Sequence, residues 1–436
     1  MSLYERVQRA GNISDEKPVT SADLLGKLKA EVQETVSIDE LARLSDENPE
    51  RARNEVRSAC RRAFEGADWA YVSLAERGEL VERLLDALFG FGVLEDMLAD
   101  ETITEIIANG PSKLFYERDG KLVPSKRRFS DVAELRALID RILGPLGRRI
   151  DEASPMVNAR LPQGHRVNVV VPPIALDGPY VTIRKFTEHV ITLEEMEESG
   201  SIDAQLRQFL IWAVRMRKSI AVCGGTGSGK TTLLNALSCV IPHEERIVTI
   251  EDSAELRFFN HPDVARMEAR PQNAEGTGEV TIRELVINAL RMRPDRIVVG
   301  ECRGAEALDM LTAMNTGHDG SLTTLHANSP AESISRLTTM VRYVADLPVD
   351  VIEANIASAI DMVVQTQRGM DGARHVTEVV TFSFDAEKGR CVTHPVYERR
   401  AGEKGEWQHF PAWIDAVSEK GIADESEVEE WKHACS

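Results

Sequence analysis

The chain has 436 residues and carries 52 Lys and Arg against 71 Asp and Glu, a net charge of −19. That length predicts about two to three domains. The acidic balance argues against a broad nucleic-acid-binding surface, which needs a basic face. No apolar run reaches the ~18 residues that crossing a bilayer requires. The N-terminus lacks an apolar signal core, and six cysteines stand singly with no C-x-x-C pair. These features predict a reducing, cytoplasmic location, with neither a zinc site nor a disulfide framework.

In chain order, residues 1–75 read as a charged helical N-terminal arm, with apolar residues at helical spacing in 24–36 and 40–66. Asn48-Pro49 interrupts the second stretch. Residues 76–190 predict a compact α+β domain. A helix-like stretch over 78–99 leads into strands ITEIIANG and KLFYERDGKLV around an Asp119-Gly120 hairpin turn. An amphipathic helix over 132–147 and strands over 166–173 and 180–186 follow. Residues 191–203 read as a charged interdomain linker. From 204 to 385, apolar strands (SIAVCG, RIVTIED, RIVVGE, SLTTLHA) alternate with helical runs. That alternation predicts an α/β fold with a parallel-rich sheet. Residues 386–436 read as a polar, acidic tail holding Trp407, Trp413 and Trp431.

The chemistry centres on IAVCGGTGSGKTTL, Ile220 to Leu233. Gly224, Gly229, Lys230 and Thr231 fit the phosphate-loop pattern G-x-x-x-x-G-K-[ST]. Glycines let backbone N–H groups turn inward around a phosphate, and the following helix points its positive dipole end at the same place. Gly224, Gly225, Thr226, Gly227, Ser228, Gly229, Lys230, Thr231 and Thr232 are therefore candidate ATP-binding residues. Lys230 suits the β- and γ-phosphates, and the Thr231 hydroxyl suits Mg²⁺.

Three later strands end in polar groups suited to that site: Glu251 and Asp252 after RIVTI, Glu301 after RIVVG, and His326 after SLTTL. Carboxylates at the C-terminal ends of parallel strands lie on the ligand-binding edge of the sheet.

The order phosphate loop, aspartate box, Walker B strand and histidine box resembles the secretion ATPase superfamily, the VirB-like traffic ATPases of type II and type IV secretion and type IV pili. The wording of 146–186, 279–304 and 313–333 resembles its CpaF/TadA branch, the motors of Tad (Flp) pilus assembly. The resemblance covers about 76–384. It departs at Asn158, where an acid is expected, and at Cys302, where an aliphatic residue is more usual.

The resemblance implies a RecA-like ATPase domain behind a smaller α+β domain. It also implies a homo-hexameric ring, and inner-membrane platform proteins as partners, so that membrane association is indirect. No direct nucleic-acid partner is expected. Glu251 would orient the attacking water and Glu301 would lie on the Mg²⁺ side, with the reverse assignment equally open. His326 would contact the γ-phosphate region. Arg160, Arg166 and Arg184 are the candidates for transition-state charge, ahead of Arg270 and Arg303. The alternatives are a type II or type IV secretion or conjugation ATPase, a nucleic-acid motor, and a non-catalytic nucleotide-gated scaffold.

Overall fold

The computed structural model describes residues 21–37, 41, 44, 48–118, 120–186, 190–258, 261–272, 277–400 and 403–435. The helical reading of residues 1–20 and the Asp119 half of the hairpin turn lie outside them. The chain divides into two units, Met1–Thr187 and Glu188–Ser436. No helix among the described residues is long and apolar enough to cross a membrane.

In the first unit, helices α1 (Ser21–Thr35), α2 (Pro49–Ala63) and α3 (Leu74–Phe89) share a core of Leu28, Val32, Val56, Cys60, Trp69, Leu84 and Leu85. The interruption at Asn48-Pro49 is a helix start. The Asn48 side chain accepts from Arg51 N–H, and Pro49 occupies a position where its missing N–H costs nothing. This part is packed, unlike a solvated arm. It also extends past residue 75, because α3 contributes Leu84 and Leu85 to the same core.

A separate core begins at Leu94 and lies against an antiparallel sheet in the order β3-β2-β1-β6-β5-β4. Its strands are β1 (Ile103–Asn109), β2 (Lys113–Arg118), β3 (Lys121–Pro124), β4 (Met156–Arg160), β5 (Arg166–Val170) and β6 (Tyr180–Arg184). Helices α4 (Glu95–Ala99) and α5 (Val132–Leu143) complete this part. Leu135, Leu138, Ile139 and Ile142 of α5 are buried in that core, as their spacing demands. Strand β4 is absent from the sequence reading, because MVNAR is short and carries no clean apolar alternation.

The second unit is built on a sheet in the order β15-β14-β13-β12-β7-β11-β10-β8-β9. Strands β7 (Ile220–Gly224), β8 (Ile247–Glu251), β9 (Val264–Glu268), β10 (Arg296–Cys302), β11 (Leu322–Leu325) and β12 (Met362–Arg368) run parallel. Strands β13 (Arg374–Asp385), β14 (Arg390–Glu398) and β15 (Glu406–Trp407) extend the sheet antiparallel. Side chains along β7 alternate between two cores. Ile220 and Val222 face one, and Ala221 and Cys223 face the other.

Helices α6 (Leu193–Glu198), α7 (Ala204–Arg215) and α8 (Lys230–Ser238) bring apolar side chains to the first core. Helices α9 (Ile282–Ala289), α10 (Glu306–Asn315), α11 (Pro330–Arg342) and α12 (Val349–Ala359) bring theirs to the second.

Two stretches differ from the sequence reading. The charged linker at 191–203 contains α6, whose Leu193 and Met196 are buried in the same core as α7. The four glutamates of LEEMEE conceal an apolar pair at helical spacing. The tail at 386–436 supplies β14, β15, α13 (Ala416–Glu419) and α14 (Glu425–Cys435). Its Trp431 packs on Trp212 at 5.3 Å and on Phe209 at 6.1 Å between ring centroids. Trp407 and Trp413 also contact Phe209. The tryptophans of this stretch therefore belong to the core of the second unit.

Candidate active site

Strand β7 is buried along its whole length and delivers the chain to Gly224, in register with Thr366 of β12. A side chain at Gly224 would collide with Ser228 Oγ and come within 2.6 Å of Thr366 O. Gly227 and Gly229 lie at φ +70° and +97°, a region that favours glycine. Thr226 is exposed, Ser228 is buried, and Thr231 and Thr232 are half-buried at the start of α8.

Several donors converge on Gly225 O: Lys230 Nζ at 2.8 Å, Ser228 Oγ at 2.9 Å and Ser228 N–H at 3.4 Å. Thr366 Oγ1 donates to Cys223 O at 3.0 Å and lies 2.8 Å from Ser228 Oγ. Thr366 thus pins both ends of the turn from the neighbouring strand. Burial pulls the Lys230 pKa down, opposed by the nearby Glu301 carboxylate.

Glu251 ends β8 and is only 3% exposed. Its Oε1 accepts from Glu255 N–H at 2.8 Å and Leu256 N–H at 2.9 Å. Its Oε2 is buried with no hydrogen-bond partner. Burial raises its pKa, and the two backbone donors oppose that shift. Gly300 of the adjacent strand leaves room for it, since a Cβ there would sit 2.9 Å from Glu251 Cγ.

Glu301 is more open, and its Oε2 accepts from Arg303 Nη2 at 2.6 Å. Arg303 Nη1 lies 3.8 Å from Asp252 Oδ2. The guanidinium therefore bridges the acids of β8 and β10, and its bond to Glu301 raises its own pKa. His326 is half-buried and directly follows β11, the strand between β7 and β10.

The order β12-β7-β11-β10-β8 explains the convergence. Thr366, the phosphate loop, His326, Glu301 and Glu251 occupy the carboxyl ends of five neighbouring parallel strands. Sequence motifs place four of these. Thr366 belongs to no motif, and only strand register reveals it. Arg374, whose Nε donates to Gly227 O at 3.0 Å, escapes the sequence for the same reason.

Among the candidate arginines, Arg160, Arg166 and Arg184 are brought together in the first unit. Register pairs Arg160 with Arg166 and Arg166 with Arg184, so they form a row across β4, β5 and β6. Arg160 Nε donates to Gly164 O at 3.2 Å. Arg270 instead braces a local bridge, donating from Nε to Gly278 O at 2.6 Å.

The residues present fit a nucleoside triphosphate with a divalent cation. The loop is a glycine cradle that a Cβ at Gly224 would fill. Lys230 and Thr231 supply a cation and a hydroxyl. Glu301 and the unpartnered Glu251 Oε2 supply hard oxygen donors. The Type II/IV secretion system protein family matches residues 88–402.

The chain belongs to that secretion family. A Mycobacterium tuberculosis protein named for conjugal transfer is 38% identical over 312 residues, covering 70% of this chain and 88% of its own length. The type IV secretion system protein VirB11 of Brucella suis is 33% identical over 329 residues, covering 69% of this chain and 91% of its own. Among solved structures, the Yersinia pseudotuberculosis ATPase DotB superposes with a TM-score of 0.52 at 17% identity, over 79% of this chain and 93% of that one. That likeness shows a shared fold, the RecA-like fold of secretion ATPases.

Proposed function

We propose that this member of the secretion family is a hexameric ATP hydrolase that powers a Tad (Flp) pilus or a related secretion machine at the inner-membrane face. The observation that carries the ATPase reading is the convergence of Lys230, Glu301, Glu251 and His326 on one edge of the sheet. The loop amides from Gly225 to Thr231, with Lys230, hold the phosphates of ATP. Thr231 and Glu301 would hold Mg²⁺, directly or through water, and the cation would supply positive charge to the phosphates. Glu251, with an unpartnered oxygen in a buried setting, orients the water that attacks the γ-phosphate in line, displacing ADP. Glu301 lies near enough to Lys230 for its carboxylate to oppose the burial-driven fall in the lysine's pKa, which supports the metal-side role. His326 contacts the γ-phosphate region. Arg160, Arg166 and Arg184 are proposed to stabilise transferring charge, supported by their alignment in one row.

The wording of 146–186, 279–304 and 313–333 supports the pilus branch. The relatives named for conjugal transfer and type IV secretion support a second reading, a conjugation or effector-secretion motor. Membrane platform proteins are the proposed partners in both, and the protein is placed at the membrane's cytoplasmic side through them.

The test is Mg²⁺-dependent ATP hydrolysis per subunit across a range of protein concentrations, with Lys230→Ala as the blank and light scattering in parallel. A rate per subunit that climbs as hexamer forms supports a ring motor. Hydrolysis equal to the blank would sink the enzyme reading. Cells producing only the Lys230→Ala form separate the branches: loss of surface pili supports the pilus motor, and intact pili with lost DNA or protein transfer supports the second reading.

A further inference from the structure

The buried part of β12 closes with two consecutive polar residues, Gln365 and Thr366, 4% and 3% exposed. Strand register sets Gln365 beside Cys223 and Thr366 beside Gly224, at the end of β7. Alternation along a strand sends two such side chains to opposite faces of the sheet. Val364 packs in the first core and Val363 in the second, so Thr366 falls on the first face and Gln365 on the second. Thr366 meets the phosphate loop, at Cys223 O and Ser228 Oγ. Gln365 meets a different loop, donating from Nε2 to Ala327 O at 3.2 Å. Ala327 directly follows His326 and is fully buried in the second core.

The bond fixes which way the amide points, because only its NH₂ end can donate to a carbonyl. The other end, Oε1, is buried with no hydrogen-bond partner. A buried amide oxygen without a donor costs free energy, and an aliphatic side chain at a core position avoids that cost. Val363, two positions earlier on the same face, is aliphatic. What the glutamine adds over such a side chain is its bond to the histidine loop. That loop is short: β11 ends at Leu325 and α11 starts at Pro330. Its far end is held by the start of the helix. Glu332 Oε2 accepts from Asn328 N–H at 2.9 Å, and Ser329 Oγ accepts from Glu332 N–H at 3.2 Å. Gln365 holds the residue next to the histidine. Leu325 on the other side is paired in the sheet with Cys223 and Cys302. The backbone of His326 is therefore pinned on both sides.

We propose that Gln365 is a positioning residue for His326. By holding Ala327 it sets where the imidazole stands relative to the phosphate loop, which Thr366 holds from the same strand. Gln365 touches no reacting group and acts through the histidine. This rests on the ATPase reading of the site and on the role given there to His326.

The experiment uses the full-length protein, its Gln365→Met, Gln365→Leu and His326→Ala forms, and the form carrying both Gln365→Met and His326→Ala. Methionine keeps the unbranched shape and removes the donor, and leucine repeats the test if methionine packs badly. Single-turnover hydrolysis of labelled ATP reads rates far below that of the wild type. Gln365→Met is expected to slow hydrolysis about tenfold, while the half-saturating ATP concentration stays within about twofold. On the His326→Ala background the same change is expected to slow hydrolysis less than about twofold, since there is no imidazole left to position. Hydrogen exchange without nucleotide should quicken over 326–329 and stay at the wild-type level over 225–231. An undiminished rate in Gln365→Met, or unchanged exchange over 326–329, would overturn the proposal. An equal loss with and without His326 would also overturn it, because a general defect of the core acts on both backgrounds. If the wild type hydrolyses no more ATP than Lys230→Ala, the ATPase reading itself falls, and that is seen before any Gln365 variant is compared. If His326→Ala alone keeps the wild-type rate, the role of His326 falls and this proposal with it, while the ATPase reading stands.

Discussion

Glu251 shows most directly what burial does to an acid at a strand end. Its carboxylate is buried, and one oxygen has no partner. Its pKa is therefore raised from the ordinary glutamate value of 4.5. A raised folded-state pKa means that the folded chain binds the proton more tightly, so stability falls as pH climbs from 4.5 through the folded value. Glu251→Gln removes that charge while keeping an oxygen for Glu255 and Leu256 N–H. The variant is expected to melt above the wild type at pH 7–8, to converge with it as pH falls toward 4.5, and to lose turnover. Thermal scans at several pH values, paired with an ATPase assay, check this. A melting difference independent of pH would mean that the carboxylate is not strained by burial.

Thr366 offers a second residue-scale prediction. Thr366→Val removes the hydroxyl that serves Cys223 O and Ser228 Oγ while leaving the strand filled. About 1–2 kcal/mol of stability should be lost, the cost of orphaning buried polar groups. KM for ATP should rise as the loop loosens. Urea denaturation and steady-state kinetics read the two effects, and a normal KM would show that the loop holds its shape without β12.

At the scale of elements, the C-terminal stretch completes the second unit. Strands β14 and β15 extend the sheet beyond β13, and α14 seals α7 through Trp431. Trp431 also donates from Nε1 to Gln205 O at 2.9 Å. Trp431→Ala should cost about 3–4 kcal/mol in chemical denaturation, in the range for emptying a large aromatic site. A loss under about 1 kcal/mol would show the tail to be a detachable appendage. Helix α6 makes the same point in miniature. Four of its six residues are glutamates, yet Leu193 and Met196 anchor it in the core.

At the scale of the whole molecule, Arg160, Arg166 and Arg184 align in one row across three strands and are the arginines proposed to act on transferring charge. Arg166, in the middle of the row, is the decisive position. Arg166→Ala is expected to lower turnover by roughly 100-fold or more while ATP affinity changes far less, since an arginine acting on transferring charge works mainly in the transition state. Mixing this variant with Lys230→Ala protein tests whether the two residues act within one chain or between chains. Recovered turnover in the mixture places them on different subunits, and a mixture as inactive as its parts keeps them on the same one.

The phosphate loop, the strand-end acids and His326 were legible in the sequence because their chemistry is local. A cradle for phosphate needs glycines and a lysine at fixed spacing, and an apolar strand that ends in an acid is written in consecutive residues. The alternation of strands and helices from 204 onward likewise declared a parallel sheet. Register and packing decided the rest. Thr366 lies 142 positions after Gly224 and meets it only because β12 pairs with β7. The arginine row required β4, a strand too short and too polar to signal itself. The linker and the tail read as charged and polar because charges are interspersed along both, but a helix needs only one apolar stripe to be buried. Local chemistry could therefore be read from the chain itself, whereas which strand lies beside which, and which thin apolar face finds a core, was decided by the tertiary structure.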